Sequence, residues 1–171
     1  MLHSILRLFL TSLLLAFAAT LTIAHDGGTL LVIPAINLNT PVVPIYVNEM
    51  SNGDVTWDTS SLNMTVGHLT GLSWFGQGGN VVLGGHSELG RGQPDIFYHL
   101  DDVTIGQEIV VYAGGQEYRY QVTETKRVSA RDLSILLPST TEKLTLFTCD
   151  LGSYTNGNYR QRFVVIATRI N

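Results

Sequence analysis

The stretch QEIVVYAGGQEYRYQVTETKRV, residues Gln107 to Val128, sets the fold class. Two β-rich runs meet across Ala113–Gly114–Gly115, where paired glycines supply the backbone freedom of a tight hairpin turn. In the second arm Tyr118, Tyr120 and Val122 alternate with Arg119, Gln121 and Thr123. That period of two marks a half-buried strand and excludes an amphipathic helix.

The same pattern continues on both sides of the hairpin. Upstream, NVVLGGH (Asn80–His86) is an apolar strand closed by two glycines, and FGQGG before it is a loop. Downstream, KLTLFTC (Lys143–Cys149) and RFVVIATRI (Arg162–Ile170) are strands separated by the polar loop DLGSYTNGNYRQ. Near the front, TLLVIPAINLNTPVVPIYV is rich in β-branched residues but interrupted by Pro34, Pro41 and Pro44, which suit edge strands and turns. SSLNMTVGHLTG (Ser60–Gly71) reads as a short helix capped by Ser60 or Ser61, and IFYHLDDV (Ile96–Val103) as one helical turn. No repeat and no long helix occurs after Ala24. Short strands at regular spacing with Gly and Asn turns predict an all-β barrel or sandwich.

A length of 171 residues suits one domain with a self-sufficient core. The net charge of -4, without a basic run, excludes nucleic acid as a partner and gives no steering of an acidic substrate. At the amino terminus Arg7 precedes an uncharged run from Leu8 to Ala24. The run is long for a signal-peptide core and short for a membrane span, and Thr22 with Ala24 approximates a small-residue cleavage site. Residues 1–24 are therefore expected to be a signal peptide or a retained membrane anchor. A buried apolar helix is the third reading, and it would need a large core to cover it on all sides. Either export reading puts 25–171 outside the cytoplasm.

Cys149 is the single cysteine. In an oxidising compartment a lone thiol pairs with another chain, is buried and inert, or is reactive. Two further groups sit, like Cys149, at the boundary of an apolar strand: His86 after NVVLGG and Arg162 before FVV. A thiolate is the attacking species, a neighbouring imidazole can lower its pKa and later protonate a leaving amine, and a guanidinium can meet a developing oxyanion. These are the groups that amide-bond exchange requires. The bland readings are a small core hydrophobe for Cys149, a packed imidazole for His86 and a solvated edge for Arg162. Spacing alone does not decide between them.

Other candidates lead elsewhere. His68 and His99 read as packing, His3 and His25 lie in or beside the leader, and no His or Cys pair has zinc spacing. Asp95, Asp101 and Asp102 form no diagnostic calcium loop, and the glycines of FGQGGNVVLGG fit no dinucleotide fingerprint. Those glycines serve tight turns and close backbone approach. No cofactor and no metal is expected. Trp57 and Trp74 fit either the core or a substrate groove.

TLFTC (Thr145–Cys149), NVVLGGH and RFVV, in that order, resemble the signatures of the sortases, extracellular cysteine transpeptidases of bacterial surfaces. IPAINLNTPV is similar to the family's first strand, FGQGGNVVLGGH to its classes D and E, and the likeness runs from Leu31 to Ile170. The resemblance implies a closed eight-stranded barrel with one or two short helices, preceded by an apolar amino-terminal helix, with residues 25–171 as the catalytic barrel. It implies that Cys149 attacks the Thr carbonyl of a Leu-Pro-X-Thr-Gly-like sorting signal to give a thioacyl enzyme. His86 would protonate the leaving amine, Arg162 would hold the substrate backbone and oxyanion, and Thr148 would contact the site from beside the nucleophile. The implied partners are surface proteins with such a signal and an amine acceptor in the cell wall or a pilin, with water as the default acceptor. The membrane is a further partner if the leader is retained. The chain departs from an anchored member in its very short link between the apolar run and the first strand, and Arg160 competes with Arg162 for the same role. The rival reading is a non-catalytic secreted β-barrel binding module with an inert Cys149.

Overall fold

The computed structural model describes residues 27–49 and 55–171, so the leader and its expected apolar helix lie outside the described residues. The strands are β1 (Thr29–Ile33), β2 (Leu38–Ile45), β3 (Val47–Glu49), β4 (Val55–Trp57), β5 (Val66–Leu69), β6 (Asn80–Gly84) and β7 (Glu88–Gly90). They continue as β8 (Gln93–Pro94), β9 (Glu108–Ala113), β10 (Gln116–Ser129), β11 (Lys143–Cys149), β12 (Tyr154–Thr155), β13 (Asn158–Tyr159) and β14 (Gln161–Arg169). Eight of them close a barrel in the order β1-β2-β5-β6-β11-β14-β10-β9. The pairs β2–β5 and β6–β11 are parallel and the rest antiparallel. Small two-stranded hairpins β3–β4, β7–β8 and β12–β13 stand outside it. A closed barrel has no free edge, which removes the hazard of unpaired strand groups.

The expected hairpin is β9–β10. Its turn residues Gly114 and Gly115 both have positive φ, 57° and 76°, the geometry that matches the right-handed twist of the strands. Tyr118, Tyr120 and Val122 are buried as the alternation predicts, and a bulge follows between Val122 and Glu124. The barrel is filled from all its walls by side chains such as Leu31, Ile33, Val111, Leu144, Leu146 and Val165. A second cluster, Ile45, Leu62, Leu69 and Val82, packs with Trp57 and Phe147. Val82 belongs to it while its neighbours Val81 and Leu83 face the main core, so β6 is buried on both faces.

Two expectations change. Ser60–Gly71 is not a helix: it turns and then enters β5, where every residue is buried between β2 and β6. Gly67 explains the choice, since a Cβ there would lie 2.9 Å from Ile45 Cγ2 and a packed helix turn offers no such close sheet neighbour. The prolines are also not confined to an edge strand. Pro41 pairs only towards β1 and Pro44 only towards β5, so β2 is inside the barrel, yet each proline occupies a stretch with one partner strand. The missing N–H is thereby tolerated. The helical content among the described residues is four 3-10 segments: Pro34–Ile36, Leu100–Asp102, Leu133–Leu136 and Leu151–Ser153. Only Leu100–Asp102 falls in a stretch expected to be helical, Ile96–Val103. None is long and apolar enough to cross a membrane.

Polar groups lock one end of the β6–β11–β14 wall. At the entry to β6, Asn80 donates to the Ile135 and Leu137 carbonyls (2.9 and 3.0 Å) and accepts from the Thr145 hydroxyl (2.7 Å). Near the same end, Glu142 accepts from the Tyr120 hydroxyl (2.7 Å) and the Gly78 N–H (3.1 Å) and faces Arg169 at 3.4 Å. Burial, then that carboxylate, holds the Tyr120 phenol far above its usual pKa. The opposite end of the wall carries the cysteine.

Candidate functional site

Strand register brings the three sequence candidates together. Cys149 ends β11 and is the direct partner of Arg162 in β14. On the other side β6 runs parallel to β11, with Gly84 beside Phe147, so two further residues carry His86 up to the level of Cys149. Cys149, His86, Arg162 and Thr148 line one cleft of about 130 Å³, together with Thr59, Leu62, Gly84, Gly85 and Phe147. Arg160 lies elsewhere, exposed at a surface depression with Ser129, Arg131 and Tyr159.

The glycines before His86 are required by close approach. A Cβ on Gly84 would lie 2.9 Å from Phe147 Cζ, and one on Gly85 would lie 2.7 Å from Phe97 Cδ2. Phe97 is fully buried and has nowhere to go. Thr148 fastens the same segment from the other strand, its hydroxyl donating to the Gly85 carbonyl at 2.8 Å. That hydroxyl is buried and already used, so Thr148 ties β11 to the approach to His86 while lining the cleft.

His86 Nε2 lies 3.1 Å from the Thr59 carbonyl. A carbonyl only accepts, so Nε2 carries a proton and the basic lone pair of the neutral ring belongs to Nδ1. The Thr59 carbonyl is presented by the turn after β4, where Asp58 accepts from the Ser60 N–H at 2.9 Å. Arg162 spends one contact on the Gln161 carbonyl (Nη1, 3.2 Å), which leaves the rest of its donor fork for a ligand.

Cys149 is half-buried and unpaired. Burial pushes its thiol pKa up; Arg162 pulls it down and Glu88 adds to the rise. The surroundings therefore favour the neutral thiol over the thiolate, in contrast to the lowered pKa expected from an imidazolium neighbour. Desolvation outweighs the single cation, because a thiolate loses more water than one guanidinium returns. Glu88 is kept anionic chiefly by the hydroxyl of Tyr159, with help from the Gly92 N–H. The Tyr159 phenol is pushed up to about 12, by burial first and Glu88 second.

The remaining candidates are structural. His68 is buried, its Nε2 2.9 Å from the Ser73 carbonyl and its ring edge-on to Trp74; burial holds its pKa down. His99 pairs with Asp102 at 3.0 Å on the surface. Trp57 donates to the Thr70 carbonyl at 3.0 Å and packs in the second cluster, while Trp74 meets His68 and Phe75 edge to face. Asp95 accepts from the Met64 N–H at 2.8 Å, and Asp101 lies 4.0 Å from Arg127. Among the described residues no three His, Cys, Asp or Glu gather into a metal-sized group. Thr59, Leu62 and Phe147 were missed as cleft residues. Thr59 and Leu62 carried no sequence signal, being far from the motifs; the alternation within TLFTC could have pointed to Phe147, two residues before Cys149 and on its side of the strand.

A closed mixed β-barrel that presents one thiol, one imidazole and one guanidinium at a single mouth defines a distinct class of β-barrel protein. The chain belongs to the sortase family: the model of the sortase domain matches residues 31–170. It is 28% identical over 146 residues to Sortase D of Bacillus subtilis (strain 168), across 85% of this chain and 65% of that relative's length. Among solved structures it is similar to a lid mutant of Sortase A from Corynebacterium diphtheriae, with a TM-score of 0.67 and 26% identity over 85% of this chain and 70% of that one. Sortase C-1 from Actinomyces oris superposes with a TM-score of 0.66 at 26% identity, over 85% and 75% of the two chains.

Proposed function

We propose that this protein is an extracytoplasmic cysteine transpeptidase that cleaves a Leu-Pro-X-Thr-Gly-like sorting signal and transfers the acyl fragment to an amine. The observation that carries the reading is the shared cleft of Cys149, His86 and Arg162 at the ends of β6, β11 and β14. Such convergence on rigid strands is what an acyl transfer needs, since each group must hold its position while charge moves.

The neutral resting thiol orders the steps. As Cys149 Sγ bonds to the Thr carbonyl carbon of the peptide, its proton passes to His86 and the carbonyl oxygen becomes an oxyanion facing Arg162. Collapse breaks the C–N bond, and the His86 proton goes to the leaving amine, leaving a thioester on Cys149. An incoming amine then attacks the thioester carbon and gives a proton to His86. The sulfur departs and takes that proton back, and the new amide leaves. Thr59 steadies the imidazole through Nε2 in both halves. The apolar walls from Leu62 and Phe147 suit the aliphatic side chain of the signal's leading residue.

The proposed acceptors are a cell-wall precursor amine or a pilin lysine, with hydrolysis as the side reaction when no amine arrives. An inert binding module is disfavoured because Cys149 borders an open cleft and is not sealed in a core. A library of peptides, incubated with the full chain and read by mass for thioacyl-enzyme and cleaved products, tests the proposal. A Thr-Gly cleaving peptide should leave its acyl mass on wild-type protein and none on Cys149→Ala. Turnover by Cys149→Ala, or no acylation by any Leu-Pro-type peptide, would refute it.

A further inference from the structure

Asp150 directly follows the nucleophile, and its side chain is only 7% exposed. A buried carboxylate one residue from a thiol is an electrostatic hazard, because it opposes formation of the thiolate. Its main chain explains why the position is held. The Asp150 N–H donates to the Gln161 carbonyl at 3.1 Å, and its carbonyl accepts from the Ser153 N–H (3.0 Å) and hydroxyl (2.7 Å). The Ser153 hydroxyl accepts in turn from the Gln161 N–H at 3.0 Å. Asp150 is thus the corner of the 150–161 loop, whose closure sets Cys149 opposite Arg162.

The carboxylate is met from a third strand. Arg127 of β10 is the register partner of Phe163, and its guanidinium lies over the Phe163 ring at 5.1 Å. From there Nε donates to Asp150 Oδ1 at 3.2 Å, and Nη2 lies 4.0 Å from Asp101 Oδ2. Asp150 and Asp101 border a hollow of about 10 Å³ with Cys149, Thr148 and Ser87, adjoining the main cleft through Cys149 and Thr148. The half-exposed guanidinium thus lies over the Phe163 ring, beside Arg162 in β14.

We infer that Arg127 is a positioning residue for the thiol: its guanidinium cancels the Asp150 carboxylate behind Cys149 and holds the corner that sets Cys149 against Arg162. The inference rests on the transpeptidase reading only in taking Cys149 as the nucleophile. The other charged or titratable groups around the sulfur are His86 after β6, Glu88 of β7, Tyr159 of β13, Arg162 of β14, and Tyr98 and Asp101 at the hollow. Of these, Asp101 is the one that Arg127 also approaches, so the cation answers two carboxylates.

The test follows iodoacetamide alkylation of Cys149 in the full chain by mass from pH 6 to about pH 11; no substrate is needed and no second thiol interferes. Arg127→Ala should move the alkylation midpoint upward and slow the reaction at neutral pH by about threefold to tenfold. Asp150→Asn should do the reverse and accelerate it by about twofold or more, and the double variant should return to within about twofold of wild type. Opposite signs are the signature, since loss of a merely structural contact slows both single variants or neither. An unchanged midpoint in Arg127→Ala, or a double variant as slow as Arg127→Ala, overturns the inference. Should Arg127→Ala fail to fold, Asp150→Asn alone decides: an unchanged or slower reaction overturns it. A wild-type thiol that iodoacetamide leaves unmodified at every pH defeats the transpeptidase reading instead.

Discussion

Asn80→Ala tests how the barrel delivers its imidazole and its thiol to one place. Asn80 opens β6, which leads to His86, and Thr145 lies in β11, which ends at Cys149. The Asn80 amide joins the two strands and reaches the 135–137 segment through three hydrogen bonds of 2.7 to 3.0 Å. Removing it orphans the Thr145 hydroxyl, whose residue is 0% exposed, and the carbonyl of Ile135, which is 7% exposed. Leu137 is 61% exposed, so its carbonyl regains water. Two buried orphans at about 1–3 kcal/mol each, plus the small net loss of the third bond, give a destabilisation of about 3–7 kcal/mol. A domain of ordinary stability survives this, with a urea midpoint shifted far down and an unchanged slope. Thr145→Val, which deletes the hydroxyl, should cost less, about 1–2 kcal/mol. The double variant should cost at least about 1 kcal/mol less than the sum of the singles, because the second change removes a group already stranded. A loss below about 1 kcal/mol for Asn80→Ala, or strict additivity with Thr145→Val, would refute the argument that this bond fixes the β6–β11 alignment.

Three further outcomes follow from the same geometry. Gly85→Ala should destabilise by about 1–3 kcal/mol and lower peptide cleavage at least tenfold, because its Cβ meets buried Phe97 at 2.7 Å and shifts His86; urea unfolding and cleavage rate read the two effects. Arg162→Lys should cut cleavage strongly while Arg160→Lys leaves it near wild type, since only Arg162 lines the cleft; equal effects in a peptide assay would contradict this. His68, with its folded pKa held below the ordinary value of about 6.5, contributes stability that is fully present above pH 6.5 and is lost as pH falls through the folded value, so His68→Phe should flatten the loss of thermal stability as pH falls below about 6.5 in melting curves.

The β-hairpin, the strands β6, β11 and β14 and their boundaries at His86, Cys149 and Arg162 were legible because each rests on local signals. Alternation, paired glycines and apolar runs act over a few residues and need no partner to be seen. The Ser60–Gly71 segment was misread because its fate depends on Ile45, which lies distant in sequence and excludes any side chain at Gly67. Thr59 was invisible as a site residue for a related reason: it acts through its main-chain carbonyl, and a carbonyl has no letter in the sequence.

The sequence by itself determined that this is an all-β chain whose chemistry-bearing residues sit at strand ends, and its motifs marked it as a sortase relative. Tertiary structure alone decided which of those strand ends meet. The parallel pairing of β6 with β11 lifts His86 to the level of Cys149, and the β11–β14 register sets Arg162, not Arg160, opposite Cys149. It also decided the direction in which the thiol pKa moves, up through burial against the pull of one arginine. Register and desolvation are properties of contacts between segments far apart along the chain, and for that reason neither can be read from any one of them.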